Sequence, residues 1–148
     1  MFNKLVFIQF GKFKSKAYAE LFDDYTNRLK HYIKLETREI KIERDEPEYF
    51  NKIQDKIEND IKDTTLVVFS ERGSLADSFG FSDFIDSGSG VLSIVVGSSW
   101  GVPDFVEKRA RLVLSIGRLT LPHEAVRVLS AEQLYRACTI IKKESYHK

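Results

Sequence analysis

The chain has 148 residues, 43% of them hydrophobic and 30% charged, with a single cysteine and a formal net charge of +1. This describes one domain spanning residues 1–148, leaves little room for a second, and excludes an internal disulfide, since Cys138 has no partner cysteine. No stretch approaches the roughly 20 apolar residues of a membrane helix, and the apolar run in MFNKLVFIQFGK is too short for a signal h-region, so a cytoplasmic location is expected.

In chain order, Leu5-Val6-Phe7-Ile8, closing on Gly11, reads as a buried strand. Tyr18, Leu21, Phe22, Tyr25 and Leu29 recur at spacings of three and four and predict a helix. Leu35 to Ile42 predicts a second strand. Tyr49, Phe50, Ile53, Ile57 and Ile61 mark one further helix, with Pro47 near its start, where a missing N–H costs least. Thr65 to Phe69 and Val91 to Val96 are short apolar runs bounded by turn residues, as strands of a parallel sheet are. A weak helix around Phe81 to Ile85 lies between them. Pro103 followed by Asp104 opens a helix reaching Arg109, Leu112 to Ile116 gives a fifth strand, and the last helix runs from about Glu124 to Lys142. The alternation predicts an α/β fold, with a mostly parallel sheet covered on both faces.

In such sheets ligands bind beyond the carboxyl ends of the strands. Three loops leave strand ends there: Ser70-Glu71-Arg72-Gly73, Gly97-Ser98-Ser99-Trp100-Gly101, and Gly117-Arg118-Leu119-Thr120-Leu121-Pro122-His123. Together they form the candidate site. Several familiar chemistries find no support. There is no Walker A loop, and Gly88-Ser89-Gly90 precedes a strand instead of following one, so ordinary dinucleotide binding is not expected. His31, His123 and His147 lack metal-ligand spacing, and no cysteine cluster exists to hold zinc. Cys138 falls in the apolar stripe of the last helix and reads as core.

That last helix carries Ala125, Val126, Val128, Leu129, Leu134, Ala137, Ile140 and Ile141 around well over half of its circumference. A surface helix of a monomer needs a narrower stripe, which points to burial against a second subunit. Arg127 and Arg136 stand on opposite faces; Arg136 has Glu132 one turn earlier as an ordinary ion-pair partner, whereas His123 occupies that place for Arg127. Charge is also uneven: residues 1–107 sum to −5 and residues 108–148 to +6, the asymmetry a phosphate-binding surface would use.

The segment Leu119-Thr120-Leu121-Pro122-His123-Glu124-Ala125-Val126-Arg127-Val128-Leu129, continuing through Glu132-Gln133-Leu134-Tyr135-Arg136-Ala137 to Tyr146-His147-Lys148, resembles the C-terminal signature of a family of SPOUT-class methyltransferases. That family methylates N3 of a pseudouridine in 23S ribosomal RNA, the large-subunit RNA. Its pattern reads T-x-P-H-x-x-x-R-V-x-x-x-E-Q-L-Y-R-A with a terminal Tyr-His, and chain length and element order agree throughout. The resemblance implies a SPOUT-type fold with a C-terminal trefoil knot, S-adenosylmethionine as methyl donor, no metal, and a homodimer in which the partner's surface completes each site. It places donor contacts on Phe69, Gly97, Ile116, Gly117, Arg118, Leu119, Thr120 and Leu121. Tyr146 and His147 would approach the target base, His147 as proton acceptor or Tyr146 as positioner, while Arg127 and His123 would shape the site or hold RNA.

The chain departs from the family pattern at Phe69-Ser70 for a Leu-Asp pair, Gly97-Ser98 for Gly-Gly, Ile116-Gly117 for Leu-Ser, and Ser145 for the proline before Tyr-His. These changes touch the donor pocket and the tail. They leave two further readings open: a ribosome-binding SPOUT protein without catalysis, and a SPOUT methyltransferase acting on transfer RNA.

Overall fold

Successive residues of the first strand are buried on alternate sides: Leu5 and Phe7 join one apolar cluster, while Val6, Ile8 and Phe10 join another. Both faces of the sheet are therefore covered, as the unbroken apolar runs require. A computed structural model describes residues 1–44 and 46–148. Its elements run β1 (Lys4–Phe10), α1 (Lys16–Leu29), β2 (Lys34–Ile40), α2 (Pro47–Lys52), α3 (Gln54–Ile61), β3 (Thr65–Leu75), α4 (Ser78–Ser87), β4 (Val91–Val96), α5 (Asp104–Arg109), β5 (Leu112–Ser115) and α6 (His123–Ile141). The five strands pair in the order β2-β1-β4-β3-β5, all parallel. Helix α6 packs between α1 and α4 on one face; α2, α3 and α5 contribute Phe50, Ile57, Ile61 and Val106 to the core of the other.

Two departures from the sequence reading have physical causes. The helix expected from Tyr49 to Ile61 is two helices, broken at Ile53 (φ −108°, ψ 14°). The break lets Phe50 meet Phe10 edge to face, with ring centroids 5.4 Å apart, while Ile57 and Ile61 still reach the core. Strand β3 continues past Phe69 to Leu75, with Phe69 and Ser74 both in register with Leu114. Ser70–Gly73 is thus an excursion from one strand, not a loop that ends it. Gly73 permits the return: a Cβ there would stand 2.6 Å from the Leu114 backbone, closer than any side chain is tolerated.

The breadth of the apolar surface of α6 is used largely inside the chain. Val128, Ala131, Leu134, Ala137 and Cys138 are buried beneath α1 and α4, so a second subunit is not needed to explain them. The helix ends on Lys143 in the left-handed region (φ 58°), where Lys143 N–H donates to Ile140 O at 2.9 Å and Glu144 N–H to Thr139 O at 2.9 Å. This is a Schellman turn, and it folds the last residues back along α6.

Candidate active site

The carboxyl ends of β3, β4 and β5 face the first turn of α6 across a cavity of about 490 Å³, a volume typical of small-molecule sites. All three loops singled out from the sequence line it, and Val126 from α6 closes one side. Phe69, Val96, Ile116, Leu121 and Val126 supply apolar wall, Ser70, Ser98, Ser99 and Thr120 supply hydroxyls, and Glu71 is the only carboxylate among the lining residues. Glu71 accepts a hydrogen bond from Thr120 Oγ1 at 3.1 Å, joining the β3 excursion to the β5–α6 loop. Arg72 also lines the cavity and is held by Asp104 at 3.3 Å and Glu107 at 3.0 Å. At Gly117 a Cβ would meet nothing within 4 Å.

Of the residues expected to hold the donor, Phe69, Gly97, Ile116, Gly117, Leu119, Thr120 and Leu121 line this cavity, and so does His123. Arg118 does not line it; its Nη1 donates to Gly73 O at 3.4 Å.

Arg127, expected to help shape the site or hold RNA, is also absent from the cavity wall. It is 1% exposed. Its Nη2 donates to Phe10 O at 2.5 Å and its Nη1 to Gly11 O at 3.1 Å, and its guanidinium lies 5.3 Å from the ring centre of Phe13. One turn earlier, Glu124 Oε1 accepts from Lys14 N–H at 2.8 Å and Ser15 N–H at 3.0 Å. The two charges clamp the start of α6 to the segment leaving β1. The spacing of Arg127 in the sequence showed that it lacked an i−4 acid; that its partners would be backbone carbonyls more than 100 residues away was not visible there.

Tyr146 and His147 lie elsewhere too. Tyr146 OH donates to Glu132 Oε1 at 3.0 Å, and its ring meets Tyr135 edge to face at 4.8 Å. Desolvation, then hydrogen bonding to Tyr25 and Glu132, pushes its phenol above the ordinary range. Arg136 binds Glu132 Oε1 through Nε at 3.1 Å and Nη2 at 2.6 Å, and its Nη1 lies 3.2 Å from His147 Nδ1. Arginine only donates, so His147 Nδ1 accepts there. The His147 ring also stands edge-on to Phe79 at 4.8 Å. Glu132 sits nine residues beyond His123 on α6, about 14 Å of helix rise away. Neither Tyr146 nor His147 lines the cavity. Cys138 is buried, its thiol pushed up to about 11 by desolvation, as a core residue should be. Among the described residues no cluster of histidine, cysteine and carboxylate is arranged to hold a metal, and no helix is long and apolar enough to cross a membrane.

Comparison with known proteins adds to this geometry. The profile of a family described as "Predicted SPOUT methyltransferase" matches residues 3–147. The chain belongs to the SPOUT methyltransferase family. Its relatives include the ribosomal RNA large subunit methyltransferase H of Caldicellulosiruptor saccharolyticus, 38% identical over 93% of this chain and 96% of that protein. The protein of that name from Trichlorobacter lovleyi is 34% identical over 97% and 99%. Solved structures share the SPOUT fold at low identity. A probable methylase family protein from Haemophilus influenzae Rd KW20 has a TM-score of 0.61 at 12% identity, covering 98% of this chain and 70% of its own. The SpoU methyltransferase AviRb from Streptomyces viridochromogenes, solved with AdoMet, has a TM-score of 0.50 at 12% identity, covering 96% and 61%.

Proposed function

We propose that this SPOUT methyltransferase transfers a methyl group from S-adenosylmethionine to N3 of a pseudouridine in large-subunit ribosomal RNA, in the cytoplasm and on the assembled ribosome. The observation that carries the reading is the convergence of seven of the eight expected donor positions on one cavity at the strand ends, in a chain 38% identical to a protein named for large-subunit RNA methylation. The four departures from the family pattern leave the cavity open, and Gly117 adds space to it. This supports catalysis over a ribosome-binding role alone.

The residues present suit the donor. The apolar wall from Phe69 to Val126 accepts an adenine ring, and the backbone of the Gly97 and Gly117 turns, which lines the cavity, offers hydrogen bonds to its edge. Glu71 is placed to face the positive charges of the ligand. When bound, S-adenosylmethionine supplies a methyl group on a sulfonium, whose sulfur would leave as the neutral thioether. The chain has then to align donor and acceptor, exclude water, and take the proton from the imide N3–H.

That last task falls to the tail, and with it comes the homodimer. Tyr146 and His147 are held beside Glu132 and Arg136, about 14 Å of helix rise from His123 at the cavity, and in this reading they serve the cavity of the partner subunit. Ala125, Leu129 and Ile140 remain half-buried on the outer side of α6 and form part of the contact. His147 becomes the proton acceptor once Nδ1 leaves Arg136, and Tyr146 positions the base. The C-terminal segment passes behind the Gly97 loop as a trefoil knot. The experiment is transfer of labelled methyl from S-adenosylmethionine to ribosomes, separated subunits and free RNA from cells lacking this gene. Label in the large subunit supports the reading; a protein that binds ribosomes and transfers nothing refutes it.

A further inference from the structure

Five large apolar side chains are exposed among the described residues, and the two most exposed, Trp100 at 62% and Leu119 at 79%, both border the donor cavity. Their exposure puts them at its mouth, while Phe69 and Val96 deeper in are buried. Trp100 is the only tryptophan in the chain. It is carried by a turn with little freedom. Ser98 N–H donates to Gly101 O at 3.1 Å, Gly101 N–H to Ser98 O at 2.9 Å, and Trp100 N–H to Ser98 Oγ at 3.2 Å. Gly101 is left-handed (φ 82°). Gly97 packs so tightly beneath it that a Cβ would stand 2.2 Å from the Gly101 carbonyl. The backbone is fixed on both sides of a largely exposed indole.

A rigid aromatic surface presented at the entrance of a site loses little entropy on binding. Enzymes that modify a base inside RNA must take it out of its stack and hold it, and an exposed indole offers a π-face that accepts any base. We infer that Trp100 is the stacking platform for an unpaired base of the RNA substrate at the mouth of the donor cavity, with Leu119 as a second apolar contact. This rests on the methyltransferase reading. It assigns Trp100 to substrate positioning, apart from the donor and from the proton acceptor.

The test compares Trp100→Ala, Trp100→Leu and Trp100→Phe in methyl transfer to ribosomes lacking the modification, with S-adenosylmethionine affinity measured by calorimetry. Loss of one stacked base lowers kcat/KM for ribosomes by about 5- to 150-fold in Trp100→Ala. Trp100→Leu, apolar but without a π-face, falls with it, and Trp100→Phe recovers most of the loss. Donor affinity stays at the wild-type value. Wild-type kcat/KM in Trp100→Leu overturns the inference. So does a fall in donor affinity as large as the fall in kcat/KM, which would place the indole on the donor. Conversion of Trp100→Ala to a smaller sedimenting species overturns it as well, by making the indole a contact between copies. If the wild-type protein itself transfers no methyl, the proposed function fails separately. Ribosome cosedimentation then decides the stacking: it is upheld if Trp100→Ala binds more weakly than Trp100→Phe, and overturned if they bind alike.

Discussion

Arg127 offers the sharpest separation between a structural and a catalytic role for a residue in the family signature. It is 1% exposed and donates to two main-chain carbonyls at the end of β1. Each hydrogen bond from a charged donor contributes about 1.5–3 kcal/mol. Trp- or Phe-type rings beneath a desolvated guanidinium, here Phe13 at 5.3 Å, add about 1 kcal/mol. Removing the guanidinium also strands the Phe10 and Gly11 carbonyls, while part of the cost of burying the charge is recovered. Arg127→Ala is therefore expected to destabilise the fold by about 3–5 kcal/mol, a large share of the roughly 5–15 kcal/mol available to a domain. Arg127→Lys keeps the charge but cannot span both carbonyls, and should cost about 1–2 kcal/mol. Urea unfolding reads both as a lower midpoint with an unchanged slope. Arg127→Lys, still folded, should retain donor binding. An Arg127→Ala protein that unfolds at the wild-type midpoint yet transfers no methyl would refute the clamp and return Arg127 to the reaction.

Three other outcomes follow from the geometry. Lys143→Gly relieves a left-handed lysine at the end of α6 and should raise stability by about 0.5–1 kcal/mol, read as a higher Tm. Glu36, hydrogen-bonded by Arg38 and then Lys4, has its carboxyl lowered to about 2. Its contribution is complete above the ordinary value of 4.5 and is lost as pH falls from there towards 2. Glu36→Gln should therefore flatten the acid limb of a stability-against-pH curve, modestly, because the pair is partly exposed. For the trans arrangement of the tail, a Gly117→Phe protein, whose ring fills the cavity, is mixed with one truncated before Tyr146. Each alone should be inactive, and subunit exchange should restore about a quarter of wild-type activity; no recovery would mean that the tail works on its own protomer's site.

The strand and helix order was legible because parallel strands buried on both faces are continuous apolar runs, and Val91–Val96 stands as read. The cavity was legible for a related reason: strand carboxyl ends have to be followed by loops, and those loops carry the glycines. Tertiary contacts over long sequence separations were not. The break at Ile53 answers to Phe10, the return of β3 answers to Leu114, and Arg127 answers to the carbonyls of Phe10 and Gly11, none of which leaves a periodic mark. The +6 charge of residues 108–148 overstated the exposed positive surface for the same reason. Arg127 is consumed inside the fold and Arg136 is committed to Glu132.

The measurement that bears most directly on the account is the identity of the methylated nucleoside. Ribosomes from cells lacking this gene are incubated with the protein and methyl-labelled S-adenosylmethionine, the RNA is digested, and the labelled nucleoside is resolved by mass spectrometry. The account predicts N3-methylpseudouridine from large-subunit RNA. Label confined to transfer RNA, or on a nucleoside other than a pseudouridine, would contradict it.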